Sequence, residues 1–371
     1  MSDHRVDLIG LVPDELDRVL GAHFEARRKP GYRARQVRAW IYEKLATSFE
    51  EMHDLPLEER QALAEAFILA VPETAHVAIS TDGTAKHLWR MADGELVESV
   101  LIPTPDRLTL CVSSQAGCAM ACVFCATGWS GYRRQLTPGE IVAQYRQSLA
   151  WARAEGRGDV TNIVFMGMCE PLANTEAVLP ALTILNQGYG LGARRITVST
   201  VGVAPGIREL ASRAEQFRLA VSLHAPNHEL RQQIVPLEKR YPMPELLDAL
   251  RAFDAAGGRR ITFEYVMIDG LTDAMELADQ LAAIAREFHA HVNLIPYNPI
   301  PGPGWKQSPK PAIRAFRDRL EQLGTPATIR ASRGQDIAAA CGQLRAEHET
   351  RPPRPFVKLM ESRGTPSSAV A

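Results

Sequence analysis

"CVSSQAGCAMACVFCATG", residues 111–128, concentrates four of the chain's six cysteines within one short segment. Three of them, Cys118, Cys122 and Cys125, are spaced C-x3-C-x2-C, and Cys111 leads the triplet by seven residues. Six cysteines in a chain of 371 residues are too sparse for a disulfide framework, and in a reducing compartment they favour metal binding or catalysis. Two metals compete for the triplet. Structural zinc usually takes four ligands as two separated cysteine pairs, and no second C-x-x-C pair occurs here. An iron–sulfur cluster accepts thiolates at short loop spacings. Three thiolates on four irons leave one iron open to a substrate or cofactor.

The residues before the triplet, "RLTLCVSS", read as a strand, and the pattern then alternates. Strand-like runs recur at "NIVFMGM", "RRITVST", "FRLAVSLH", "RRITFEYVMI", "HVNLIPY" and "ATIRASR", separated by helical stretches such as 138–154, 175–186, 244–256 and 272–288. Repeated βα units imply a parallel sheet with helices outside. Their number and spacing over 105–349 suit an α/β fold built as a partial TIM-type barrel better than an open sheet. Such folds gather their chemistry at the C-terminal ends of the strands. Cys111, Glu170, Ser199, His224, Asn298 and Arg333 all fall at or just past expected strand ends, which predicts one active site.

Upstream of the barrel, residues 1–72 read as a helical domain. "PDELDRVLGAHF" opens on Pro13 and Asp14, and "ARQVRAWIYEKL" repeats Val37, Trp40, Ile41 and Leu45 along one helical stripe. Between them, "RRKPGYRARQ" carries Arg27, Arg28, Lys29, Arg33 and Arg35 around Tyr32, with Arg38 just beyond. This is a solvated turn or a phosphate-contacting RNA-docking patch with a stacking aromatic. Residues 73–104 read as an antiparallel extension, with Asp-Gly turns at 82–83 and 93–94. The tail, 350–371, is rich in Pro and Ser and is expected to be disordered.

Composition excludes several classes. Apolar residues make up 46% and charged residues 23%, as in ordinary globular proteins, and a net charge of −1 supplies no global field for nucleic acid. RNA or DNA binding therefore has to use local basic patches. The first residues lack the basic start and apolar run of a signal peptide, and no apolar run is long enough to span a membrane. A cytoplasmic, monomeric enzyme is the expectation.

The cysteine spacing, with Phe124 before the last cysteine and a strand directly upstream, resembles the radical S-adenosylmethionine (SAM) superfamily. That resemblance implies a [4Fe-4S] cluster on Cys118, Cys122 and Cys125, whose open iron chelates SAM, and one-electron cleavage of SAM to a 5′-deoxyadenosyl radical. The cofactor carries this chemistry while the protein positions it and excludes water. The cluster segment together with "FMGMCEPLAN", "ITVSTVGVAPGI", "AVSLHAPN", "VNLIPYNPIPG" and "SRGQDIAAACGQL" resembles, in the same order, the bacterial rRNA adenine C2-methyltransferase family RlmN. Cfr, which methylates C8 of the same base, is a close relative and the alternative specificity. A non-catalytic, zinc-stabilised RNA-binding protein is the reading from another class.

The RlmN resemblance implies two SAM molecules per turnover. Adenine C2 has no nucleophilic lone pair, so the methyl group travels through protein: the first SAM methylates Cys341, and the radical from the second takes a hydrogen from that S-methyl group. The methylene then joins the base, and Cys111 resolves the adduct by forming a transient disulfide. Glu98 matches the family's proton acceptor at the base, with Glu95 a nearby decoy. Cys169 and Glu170, Ser199, the stretch Ser222, Leu223 and His224, and Asn298 match SAM-contacting positions, Glu170 through a charge-assisted hydrogen bond to the methionine ammonium. Implied partners are 23S rRNA, some tRNAs at the adenine beside the anticodon, and an external flavodoxin-like one-electron donor. Two departures stand out: Cys169 occupies a usual glycine position, and Val201 a position where serine is common.

Overall fold

The computed structural model describes residues 5–257 and 260–344, so the tail expected to be disordered lies outside the described residues. Its centre is a ten-stranded sheet in which spatial order repeats chain order. The strands are β1 (Glu73–Ile79), β2 (Ala85–Arg90), β3 (Leu96–Thr104), β4 (Arg107–Cys111), β5 (Asn162–Phe165), β6 (Ile196–Thr200), β7 (Arg218–Ser222), β8 (Thr262–Met267), β9 (His291–Pro296) and β10 (Ala327–Ile329). From β4 to β10 all pairs are parallel. Parallel neighbours need long crossovers, and helices Pro138–Ala154, Thr175–Thr183, Ala204–Ala211, Met243–Ala255, Met275–Glu287 and Lys310–Gln322 supply them. The sheet ends at β10 without returning to β4, which leaves a partial barrel.

Side-chain alternation explains which face is covered. Along β8, Phe263 and Tyr265 are fully buried, and Tyr265 stacks on Phe316 of the last helix at 5.3 Å. Thr262 and Glu264 point the other way, into the concave face. With a period of two, the apolar set packs under the helices and the polar set lines the interior.

The antiparallel hairpins β1–β3 join the barrel sheet itself rather than forming a separate small sheet, because β3 pairs with β4. That register sets Val100 beside Cys111 and puts Glu98, two residues earlier, on the same face. The turns Gly83 and Gly94 take φ of 84° and 89°, as the Asp-Gly reading requires.

Helices Pro13–Ala26, Tyr32–Tyr42 and Leu57–Ala66 enclose their own core of Leu16, Leu20, Phe24, Val37, Ile41 and Leu63. A fully buried arginine from the barrel's first long helix, Arg146, ties this core down by donating to the Ala46 carbonyl at 2.6 Å.

Candidate active site

A cavity of 150 Å³ opens at the C-terminal ends of the parallel strands. Cys118, Cys122 and Cys125 form one wall, and Cys169, Glu170, Ser199, Ser222, His224, Asn298 and Cys341 close the others. The loop bearing the triplet follows β4. It turns at Gly117, with φ of 76°, where a Cβ would lie 2.0 Å from the Gly131 carbonyl oxygen, so only glycine fits. Cys118 N–H donates to that same carbonyl at 2.9 Å, and Val123 N–H to Ile234 at 3.0 Å.

The donor set suits an iron–sulfur cluster. Burial pushes the Cys122 and Cys125 thiols above the usual range, and for Cys122 the charges on Cys118 and Cys125 push it further. Shifted this way the thiols stay protonated on their own, and they would ionise together only around a cationic body, as a cluster supplies. Among the described residues no three His, Cys, Asp or Glu side chains gather as a single-ion site. The three thiols line one wall of the cavity, a placement that suits a multi-atom cluster facing it.

Glu170 is buried and bridges two loops: its carboxylate accepts from Leu172 N–H at 3.1 Å and Val201 N–H at 2.7 Å. Burial nonetheless raises its pKa to about 7, against the lowering effect of these bonds. A cationic group beside it would restore the charge, which suits an ammonium. His224 stands at φ 59°, a left-handed conformation rare for a side-chain residue and kept here at a ligand wall. Its Nδ1 accepts from Val266 N–H at 3.2 Å, so Nε2 carries the proton, and burial pulls its pKa down to about 3. The neutral ring packs edge-on against Phe124 at 4.4 Å. Leu223 does not line the cavity; it is fully buried in the barrel core, its N–H donating to the Val221 and Glu264 carbonyls and its carbonyl accepting from Ala225 N–H and Arg231.

Asn298 lies in the cavity wall with its amide already engaged. Its Nδ2 donates to the Cys341 carbonyl at 3.1 Å, and its Oδ1 accepts from Gln335 at 2.8 Å. It therefore holds the segment that carries Cys341. That segment is pinned elsewhere too. Ala126 N–H donates to the Gly342 carbonyl at 2.7 Å, Thr127 Oγ1 to Leu344 at 2.6 Å, and Lys86 Nζ to Ala338 at 3.3 Å. From the β1–β2 turn, Ser80 Oγ and Thr81 N–H donate to Asp336 at 2.5 and 3.1 Å.

Cys341 itself is exposed, whereas Cys111, at the end of β4, is buried with Val100, Met168, Ala339 and Leu344. Burial pushes the Cys111 thiol up to about 12, with the charge of Cys341 adding to it and Arg330 opposing. Arg330, just past β10, donates to Glu264 at 3.3 Å and holds its charge above all through Cys341. Glu98 lies off the cavity. It is buried and ion-paired with Lys86 at 2.9 Å, so it reaches the Cys341 segment through that lysine.

Sequence reasoning missed Arg330, Glu264 and Lys86. Arg330 had the same strand-end signal as His224, and Glu264 was a carboxylate at an inward strand position. The basic segment is largely neutralised: Arg27 and Lys29 pair with Glu59 at 3.2 and 2.9 Å, and Arg38 with Asp17 at 2.5 Å. Arg28 and Arg35 remain exposed.

A partial β/α barrel with a three-cysteine loop after its first parallel strand and a carboxylate-lined cavity defines a radical SAM enzyme, and residues 112–281 match the radical SAM superfamily. Residues 6–69 match the ribosomal RNA large subunit methyltransferase N-terminal domain. A probable dual-specificity RNA methyltransferase RlmN from Gemmatimonas aurantiaca is 48% identical over 92% of this chain and 93% of its own. The dual-specificity RNA methyltransferase RlmN of Anaeromyxobacter dehalogenans is 46% identical over 95% of both chains. The crystal structure of a radical SAM methyltransferase from Sphaerobacter thermophilus, 47% identical, superposes with a TM-score of 0.87 over 92% of this chain and 100% of that one. The chain belongs to the RlmN family of dual-specificity radical SAM RNA methyltransferases.

Proposed function

We propose that this enzyme methylates C2 of an adenine in the peptidyl-transferase centre of 23S rRNA and of the adenine beside the anticodon in some tRNAs, through a methylated Cys341. The observation that carries the reading is the placement of Cys341. Its loop leans on the triplet loop, through Ala126 N–H and the Gly342 carbonyl, and opens onto the same cavity as Cys118, Cys122 and Cys125.

Cys118, Cys122 and Cys125 would hold a [4Fe-4S] cluster, and Glu170, Ser199, Ser222 and His224 the SAM beside it. When bound, these groups supply the methyl donor and the radical chemistry that an electron-poor carbon requires. Everything else falls to the chain. Cys341 is the exposed thiol that takes the methyl group, with Arg330 offering a positive charge to its thiolate. Glu98 would be the final acceptor of the proton that leaves C2; it lies off the cavity, paired with Lys86, so that proton has to reach it along the face of β3 and β4 that it shares with Cys111. After the adduct's unpaired electron leaves to a one-electron acceptor, Cys111 attacks the Cys341 sulfur: the carbon–sulfur bond breaks with its electron pair left on the methylene carbon, the Cys111 thiol gives up its proton, a Cys111–Cys341 disulfide forms, and the methylene takes up one proton to become the methyl group of the base. A thiol reductant returns two electrons to that disulfide, and a flavodoxin-like protein supplies the single electron for SAM cleavage. The enzyme acts as a monomer in the cytoplasm. Exposed Arg28 and Arg35 of the N-terminal helices offer an outer contact for RNA.

Anaerobic turnover with 23S rRNA fragments and with tRNA, followed by nucleoside mass spectrometry, tests the reading. The expected product is 2-methyladenosine in both RNAs; 8-methyladenosine would transfer the assignment to Cfr-like specificity.

A further inference from the structure

The concave face of the barrel holds a second cavity, of 460 Å³, which shares Met166, Arg330 and Cys341 with the first. It runs from Cys341 down to the N-terminal ends of the strands, where Arg107 opens β4, Arg195 directly precedes β6, and Arg218 opens β7. These three arginines are exposed, and their side chains make no hydrogen bond or ion pair among the described residues. Arg330 and Arg333 add charge on the opposite side, and Glu264, itself paired with Arg330, is the cavity's single carboxylate.

We propose that this inner groove is a docking surface for single-stranded RNA, with Arg107, Arg195 and Arg218 holding backbone phosphates of nucleotides that flank the one reaching Cys341. The inference rests on the function proposed above. The charge fits a polyanion: of the five arginines, Arg330 pairs with Glu264 and Arg333 with Asp82 at 3.9 Å, which leaves the positive charges of Arg107, Arg195 and Arg218 uncompensated in the groove. The reach fits a strand and not a free phosphate: five residues of β-strand span roughly 16 Å, so rim and thiol are separated by more than one small anion. Register ties the two ends together. Cys111, Val164, Thr197 and Arg218 form one cross-strand row, so the rim and the resolving cysteine belong to one sheared layer of the barrel. Between them the wall is polar, with Thr109, Asn162 and Thr262 able to meet sugar hydroxyls and base edges. The outer patch differs, because its cations are mostly paired.

The test measures binding of a labelled RNA stem–loop to the iron-loaded enzyme across a salt series, for the wild type, R107Q/R195Q/R218Q and R33Q/R35Q/R38Q. The inner triple variant should bind at least about tenfold more weakly, with a salt slope shallower by about 2, because each single-strand phosphate contact contributes about 0.7. Methylation of Cys341 by SAM without RNA should match the wild type. Unchanged affinity and slope in the inner variant, with the loss confined to R33Q/R35Q/R38Q, would overturn the groove and assign docking to the N-terminal helices. If the triple variant fails to retain iron, R218Q alone decides, by losing about 0.7 of slope or none. Groove-dependent binding without any methyladenosine from the wild type would sink the proposed function while leaving the groove in place.

Discussion

The two walls of the catalytic cavity are built in opposite ways. One is made of strand ends and of loops locked to them: Glu170 held by two backbone N–H groups, His224 held by Val266, and the cysteine triplet following β4. The other is a single loop past the last strand, carrying an exposed Cys341 and tied down by hydrogen bonds from the β1–β2 turn, Lys86, Asn298 and the helix after Cys125. The first wall has to hold a cofactor in one geometry. In the proposed reaction the second carries a thiol that meets a methyl donor, a base and Cys111 in turn. Tethers of separate, individually weak hydrogen bonds suit a segment that shifts between those positions.

The largest effects test the fixed wall. Cys118→Ala, Cys122→Ala or Cys125→Ala should lose iron and abolish 5′-deoxyadenosine formation, since each removes one of the three ligands proposed for the cluster. Iron analysis with chromatography of anaerobic reactions checks this, and full SAM cleavage in any of the three would end the cluster assignment.

The next effects separate the two lone cysteines. Cys341→Ala should give neither methylated protein nor methylated RNA, because the methyl carrier is gone. Cys111→Ala should still be methylated at Cys341 and still attack RNA, then stall as a protein–RNA adduct with no thiolate to take the sulfur. A band that accumulates in Cys111→Ala on denaturing gels, disappears with RNase and is absent from Cys341→Ala is the expected result. Normal turnover by Cys111→Ala would return Cys111 to a packing role.

The fixed wall was the legible one. Glu170, Ser199 and His224 sit at or just past strand ends, and strand ends are written in the sequence as a period-two pattern followed by a break. The seven parallel strands were readable for the same reason, since buried β-runs between amphipathic helices leave few other folds. The tethered wall was not legible. The bonds from Ser80 and Thr81 to Asp336 join residues more than 250 positions apart, and no local pattern marks them. Asn298 lines the cavity as its strand-end position suggests, but its hydrogen bond to the Cys341 segment was not legible, because sequence shows that an amide lies at a strand end and not what it bonds. Unpaired arginines on the inner rim and paired ones on the N-terminal helices look alike in sequence; only the positions of Asp17 and Glu59 separate them.

Loosening the tether should leave cofactor binding intact. Asp336→Ala removes the acceptor for Ser80 and Thr81, at a cost of about 1–2 kcal/mol for two such bonds. That corresponds to a roughly five- to thirtyfold larger open population of the Cys341 segment. Hydrogen exchange over 334–344 should accelerate and Cys341 methylation should slow by a similar factor, with iron content unchanged. A parallel loss of iron would mean that the two walls are one cooperative unit.

The smallest effect is a pH dependence confined to the fixed wall. Burial raises the Glu170 carboxyl from 4.5 to about 7, so the folded protein holds a proton there that the unfolded chain has released. Glu170 therefore favours folding most below pH 4.5, and that contribution is lost as pH rises from 4.5 through about 7. Binding has the opposite slope. An ammonium at this position needs the carboxylate, so SAM affinity should climb up to about tenfold per pH unit below the Glu170 pKa and level off above it. Titrating SAM into the reconstituted enzyme from pH 6 to 8, in the wild type and Glu170→Gln, reads this directly. Glu170→Gln cannot ionise, so it should bind weakly with a flat profile, while Asp336→Ala should keep the wild-type curve. A wild-type profile that is flat across the same range would mean that Glu170 stays charged without its ligand, held by the Leu172 and Val201 N–H groups and not by the cation it awaits.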